Sequence, residues 1–503
     1  MKIRLISLSI IMCLILSFCA CSNTTEEKEQ AENTSSALAS LGDSSKYYGT
    51  TFGQGNIIDI NVQISDTDWK EIKDNPMSEE YHSANITVNG TTVKNVGFRT
   101  KGFSSLSSVA NSDSDRYGFK VKMDKYVDNQ LLNGLDTLVL NTSFSDPSYM
   151  REYLTYAASQ YLGAQSPFLS YSRLSINGEL FGFYLCIEAY DDSFAQRYSN
   201  AEDTVLYKAV SENCTLLTSD DGSGFDVDYG KDDNYTNIKD LITILNSTTS
   251  ENKEELERIL NIDSVLKAIA VNTVTGNYDS YNGSKAHNYY LLYSGGKFSY
   301  IGWDYNMSMG GFSEDNGASV TVDVSSPVYN VDISERPLIE KLLAIDEYYD
   351  RYMGYVNSLT EYFSNFDTTV ASIADIIRED VKNDPSAFYT IEDFESNITA
   401  SDTDLSQVQS HTGGGGGKGM GDRKNMQRSD GAPTDNTDGF EGYAPDMSGR
   451  NSPGNFNGNA PEIPKNADGN MQRPNGGGGM IHQKAVSIVD YITQRIAAIK
   501  EQM

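Results

Sequence analysis

Apolar and polar residues alternate early in the chain and recur at helical spacing later. NIIDINVQI (56–64) alternates with period two and predicts a strand, and SDTDWKEIKDN opens a short helix capped by Ser65 or Asp66. In the next stretch Ile86, Val88, Val93, Val96 and Phe98 flank an Asn89-Gly90 pair. Asn-Gly between two such runs is the strongest short-range hairpin signal, because both residues accept the positive φ of a tight turn. The device returns at Asn177-Gly178, between YSRLSI and ELFGFYLCIE, and in weaker form at Gly295-Gly296, between HNYYLLYS and KFSYIGWD. Three hairpins predict antiparallel sheet.

The period then changes. PSYMREYLTYAASQYLG places Tyr149, Tyr153, Leu154, Tyr156, Ala157 and Tyr161 at helical spacing, with Gly163 as a stop, and its aromatics read as core. IKDLITILNS, EELERILN and DSVLKAIAVNTVTG follow as amphipathic helices. The stretch 335–366 gives one or two long helices, and TTVASIADIIREDVKND another. Strands early and helices late, with a hairpin between helical blocks, predict an α+β fold spanning 48–400. From 401 to 480 the chain turns to Gly, Asn, Asp and Pro with few aliphatic residues, which predicts disorder. Residues 481–503 regain periodicity, with Val486, Ile488, Val489, Ile492, Ile496 and Ile499 largely along one face. Such a helix is expected to dock back on the domain, leaving 401–480 as a surface insertion that closure entropy tolerates.

The first residues carry a separate message. Lys2 and Arg4 precede a short apolar run that ends in CACS, the pattern of a secretory signal. Small Ala20 before Cys21 predicts a lipoprotein signal over 1–21, with Cys21 taking the lipid and anchoring the protein outside the cell membrane. Residues 22–47 are polar and Ser/Glu-rich, a tether composition. The formal net charge of −31 disfavours nucleic-acid partners. Cys186 and Cys214 remain in the mature body and are expected unpaired, and the four histidines lack zinc-ligand spacing. Two near-motifs fail. GGGGGKG at 413–419 has Thr412 and Gly419 where a phosphate loop needs Gly and Ser/Thr, and GFDVDYGKDDN has Gly230 where a calcium loop needs Asp or Asn.

The chemistry-bearing stretch is GNYDSYNGSKAHNYYLLYSGGKFSYIGWDYNMSMGGF. Asp279 lies in a polar loop after a helix, Asn288 begins a strand, and Asp304 follows the returning strand. Phosphoryl transfer uses such a set: one carboxylate orients the acceptor hydroxyl, while an amide oxygen and a second carboxylate hold Mg²⁺ on the nucleotide. Loop Asp and Asn residues are also ordinary turn formers, so the spacing alone does not decide.

The whole segment resembles the CotH (spore coat protein H) kinase family. Asp279-Ser280-Tyr281, His287-Asn288-Tyr289-Tyr290 and Trp303-Asp304-Tyr305-Asn306 carry the likeness. So do Phe98-Arg99-Thr100-Lys101-Gly102, the Asn177-Gly178 to Glu188 hairpin, Leu206-Tyr207-Lys208 and Arg336-Pro337-Leu338. The resemblance implies a divergent protein-kinase-like fold that transfers the γ-phosphate of ATP, with Mg²⁺ or Mn²⁺, to serine-type acceptors on surface or secreted proteins. It implies Asp279 as the catalytic carboxylate and Asp304 and Asn288 as metal ligands. Phosphate contacts fall to Lys208, with Glu188 pairing it, or to Arg99 and Lys101. Trp303 is read either as an adenine contact or as core. Asn306 stands where the family carries a second acid, and a lipoprotein faces outward, where ATP is scarce. A non-catalytic surface binding or scaffolding module is therefore the competing expectation.

Overall fold

The computed structural model describes residues 51–52, 57–199, 201–211, 213–312, 317–408 and 485–503, all within one unit. The expected signal peptide with Cys21, the tether, 409–480 of the low-complexity segment and 481–484 of the terminal segment lie outside the described residues.

The first half is a seven-stranded barrel. Its strands are β1 (Ile58–Ile64), β2 (His82–Val88), β3 (Thr91–Lys101), β4 (Gly118–Lys122), β5 (Thr137–Asn141), β6 (Leu169–Ile176) and β7 (Glu179–Glu188). They close in the order β1-β2-β3-β4-β5-β7-β6. Neighbours are antiparallel except β1 and β6, which pair in parallel with Ile60 opposite Leu174. Local pattern does not foretell that parallel seam, since it joins segments more than a hundred residues apart. All three expected hairpins form, with positive φ at Asn89 and Gly90, Asn177 and Gly178, and Gly295 and Gly296. Ile58, Ile60, Val62, Ile86, Val96, Phe98, Phe119, Val121, Leu138 and Leu140 fill the barrel, the inward half of each alternation. The outward half of β3, β4 and β5 includes Arg99, Lys101, Lys120, Lys122 and Asn141, and Arg99 stands opposite Lys120.

Two short helices, α1 (Asp66–Asp74) and α2 (Ser104–Ala110), border the barrel. Ser65, not Asp66, caps α1, its hydroxyl accepting from Asp68 N. α3 (Arg151–Tyr161) crosses to the second half, burying nearly its whole circumference. Around it assemble α4 (Asp192–Tyr198), α5 (Thr236–Ser247), α6 (Lys253–Ile259), α7 (Ile262–Thr275), α8 (Pro337–Leu343), α9 (Asp346–Tyr362), α10 (Phe366–Lys382) and α11 (Ile391–Asn397). With them is a four-stranded antiparallel sheet, β11-β10-β8-β9, of β8 (Val205–Ala209), β9 (Phe225–Tyr229), β10 (Tyr289–Ser294) and β11 (Lys297–Gly302).

The last helix, α12 (Ile488–Gln502), lies in this second core. Ile488, Ile492 and Ile499 are fully buried there, and Arg495 donates to the carbonyls of Thr273, Val320 and Val322. Residues 401–408 are mostly exposed but tied to the last helix: Ser401 N donates to Asp490, Leu405 N donates to Gln494, and Leu405 is buried. Cys186 and Cys214 are both buried and unpaired. No described helix is long and apolar enough to cross a membrane.

Candidate functional site

Candidate site residues come from both halves and meet at the outward face of β3–β5. Lys101 ends β3. Its ammonium donates to Asn141 Oδ1 at 2.9 Å, and Asn141 Nδ2 donates to Glu152 Oε1 and Oε2 at 3.1 and 2.9 Å. An amide thus stands between an ammonium and a carboxylate. Burial pushes Glu152 up to about 8, with the Asp304 charge adding to it. Burial likewise draws Lys101 down against the pull of Asp304 and Glu152.

The acidic side is built from turns. α7 ends at Gly276 in the left-handed conformation, and the following turn presents Asp279. His287 Nε2 lies 2.8 Å from Asp279 Oδ1. Asn288 Nδ2 donates to Asp279 O at 2.8 Å and to Oδ2 at 3.2 Å. With its nitrogen so committed, the Asn288 amide keeps its oxygen for another partner.

Asn288 and Asp304 both have left-handed backbone, φ 56° and 57°, at the open end of the β10–β11 hairpin. Trp303 N closes that hairpin onto Asn288 O at 3.1 Å. A Cβ on Gly302 would lie 1.8 Å from Tyr305 Oη, so any larger residue there would displace the buried Tyr305 ring. Left-handed non-glycine residues store strain and gather at sites that need an unusual side-chain direction. Burial raises Asp304, Lys101 opposes that shift, and Asp279 adds to it. Asp279, Asn288 and Asp304 therefore share one neighbourhood, and Lys101 acts on its Asp304.

The other expected site residues divide. Lys208 on β8 stands 6.0 Å from the centroid of the Tyr290 ring, and its charge acts on Asp304 and Asp228. Arg99 is taken by Glu79, donates to Thr100 O, and lies 5.1 Å over the Tyr81 ring. Glu188 corrects the expectation of a pair with Lys208. It is fully buried at the end of β7, accepts from Phe168 N at 2.9 Å, and pairs with Arg197 at 2.6 Å. A buried carboxylate needs a cation and donors at once, and α4 brings Arg197 to it. Trp303 is core: Tyr190 packs at 4.7 Å and Tyr290 at 6.0 Å between ring centroids.

Sequence reasoning missed Glu152 and Asn141. Glu152 lies one helical turn before Tyr156 on a helix read as core, and a carboxylate on a buried face was the available signal. Asn141 gave none, since only the β3–β4 and β4–β5 pairings together set it beside Lys101.

Carboxylates also converge elsewhere. Oxygens of Asp136, Asp191 and Asp192 lie within 4.8 Å of one another, as do ligand atoms of Asp68, Glu71 and His82. In the first group Lys120 and Lys122 reach Asp191 at 3.3 and 3.7 Å, and in the second His82 lies 3.3 Å from Asp68. Neither group was foreseen as a site.

Comparison with known proteins places the chain in a family. The family described as "CotH kinase protein" matches residues 98–412, more than half of the chain, and the chain belongs to that family. It is 28% identical over 189 residues to the "Inner spore coat protein H" of Bacillus subtilis (strain 168). That match covers 35% of this chain and 51% of the relative. It is 40% identical over 67 residues to the "Inner spore coat protein H-like protein" of the same organism, covering 13% of this chain and 22% of the relative.

Proposed function

We propose that this chain is an atypical protein kinase, with a divergent kinase-like fold, that moves the γ-phosphoryl group of ATP to serine-type hydroxyls on surface or secreted proteins. One observation carries the reading. A strand lysine linked to a helix glutamate, Lys101 through Asn141 to Glu152, acts on Asp304, which in turn feels Asp279, the hydrogen-bond partner of Asn288. Protein kinases use a strand Lys tied to a helix Glu, a strand-end Asp and a loop Asn.

The donor set fits a nucleotide-borne divalent cation. Asp304 and the Asn288 amide oxygen supply hard oxygen ligands, and the phosphates would complete the shell of Mg²⁺ or Mn²⁺. When bound, the cation neutralises phosphate charge and polarises the γ-phosphoryl group. The chain's own groups do the rest. Lys101 and Lys208 hold the phosphates. Glu152, through Asn141, orients Lys101 toward the nucleotide. Asp279 accepts the hydroxyl proton as the serine oxygen bonds to the γ-phosphorus and the bond to the bridging oxygen breaks, releasing ADP.

The relatives' names place them in the spore coat, and the basic, apolar, Cys21-terminated start of this chain supports lipid anchoring outside the cell membrane. The acceptor is then a protein met on that side, and nucleic acid is not a partner.

The test is transfer of radiolabelled γ-phosphate by purified full chain, to itself and to a Ser-rich acceptor, under Mg²⁺ and Mn²⁺. Asp304→Ala should abolish both nucleotide binding and transfer. Asp279→Ala should keep most ATP affinity while turnover falls at least ~10²-fold, the scale of a positioned acid–base group. Wild-type incorporation no higher than that of either variant would reject the kinase and favour a non-catalytic scaffold.

A further inference from the structure

Arg336 was singled out by the sequence, and the proposed chemistry leaves it without a task. It is 1% exposed, yet its hydrogen bonds all run to backbone carbonyls and none to a carboxylate. Nε donates to Tyr281 O at 2.9 Å and to Gly283 O at 3.1 Å. Nη2 donates to Gly283 O at 2.5 Å and to Ser284 O at 3.0 Å, and Nη1 to Glu335 O at 2.7 Å. Leu338 N, at the start of α8, donates to Tyr281 Oη at 3.1 Å.

The clamped turn begins two residues after Asp279 and ends three before His287. It is folded tightly on itself, since a Cβ on Gly283 would lie 1.7 Å from Tyr278 O. Its other side is held by an amide ladder: Asn277 donates to Asn272 and Asn272 to Asn282, each at 3.0 Å, and Asn282 donates to Pro327 O at 2.8 Å. A planar guanidinium with five donors suits such a cluster of carbonyls, and a lysine ammonium offers one point charge in its place. Lys101, Asn141 and Glu152 sit on other elements and make none of these bonds.

We propose that Arg336 is the positioning residue of the acceptor side, holding the 281–284 turn so that the preceding Asp279, with His287 and Asn288, stands where the acceptor hydroxyl must be met. This rests on the role proposed for Asp279. It concerns placement of one carboxylate, and nucleotide capture should be independent of it.

The experiment uses the full chain with Arg336→Ala and Arg336→Lys, measuring Mg·ATP affinity, phosphate transfer and backbone hydrogen exchange. Expected for Arg336→Ala are a kcat lowered ~10–100-fold, by analogy with misplaced catalytic groups, and an ATP affinity within about threefold of wild type. Exchange should quicken over 277–288 and stay unchanged in the barrel. Arg336→Lys should recover part of kcat, and millimolar guanidinium should recover part in Arg336→Ala. Should Arg336→Ala not fold, Arg336→Lys carries the same readouts at smaller amplitude. Unchanged turnover, a parallel fall in ATP affinity, or exchange quickening evenly through the chain would each overturn the inference. If wild type transfers no phosphate, the kinase reading fails separately. The exchange pattern then still decides whether Arg336 holds this turn.

Discussion

The barrel and the helical half present their site residues by different means. Lys101 and Asn141 project from strands whose ladders close on themselves, so the backbone beneath them has neighbours on both sides. Asp279, Asn288 and Asp304 sit on turns, two of them with left-handed backbone, and side chains from distant segments hold those turns in place. A ladder spreads the effect of one substitution over many hydrogen bonds, whereas a clamped turn depends on a few. The cationic wall should therefore be robust and mainly affect nucleotide affinity. The acidic wall should be sensitive and mainly affect turnover.

The largest expected effect tests whether the helical half depends on distant chain. Deleting 485–503 removes Ile488, Val489, Tyr491, Ile492, Ile496 and Ile499 from its core. At ~1.5–3 kcal/mol for each buried side chain, the loss is on the order of 10 kcal/mol, comparable to the whole stability of a domain. Urea unfolding should show the helical half no longer folding cooperatively. A midpoint close to wild type would refute the contrast at its base.

Lys101→Met tests the barrel side. It should raise the KM for Mg·ATP ~10-fold or more while leaving the melting temperature within a few degrees, because a half-buried ammonium is exchanged for an apolar chain of similar length. An unchanged KM with a collapsed kcat would reverse the assignment of roles to the two walls.

A subtler effect lies in pH. The folded chain keeps a proton on Glu152 up to about 8, whereas the unfolded chain releases it near the ordinary value of 4.5. The folded state binds more protons between those values, so this group makes stability fall as pH rises across that window. Glu152→Gln should flatten the decline, read as urea midpoints at about pH 5 and about pH 8. An identical slope in the variant would show that Glu152 ionises normally.

The smallest effect is expected from replacing 409–484 with a short Gly/Ser bridge. The flanking segments already meet, with Ser401 and Leu405 bonded to Asp490 and Gln494. Few residues are needed to span the gap, and the melting temperature should stay within a few degrees. A large drop would show core-forming residues in a stretch whose composition offers almost none.

Much of this was legible in the chain itself. Asn-Gly and Gly-Gly pairs determined three hairpins, because positive φ at two successive positions is a local demand that few residues meet. The spacing of aliphatic and aromatic residues determined the long helices, and the resemblance to the CotH family singled out Asp279, Asn288 and Asp304 as candidates. Tertiary structure alone decided the rest. It closed the barrel through the parallel β1–β6 seam, and it set Asn141 between Lys101 and Glu152. It gave Glu188 to Arg197 and put Trp303 among tyrosines. It brought Arg336 to the Asp279 turn. Each of these joins residues through space, and the burial that makes a carboxylate or guanidinium require a given partner exists only once the core has formed.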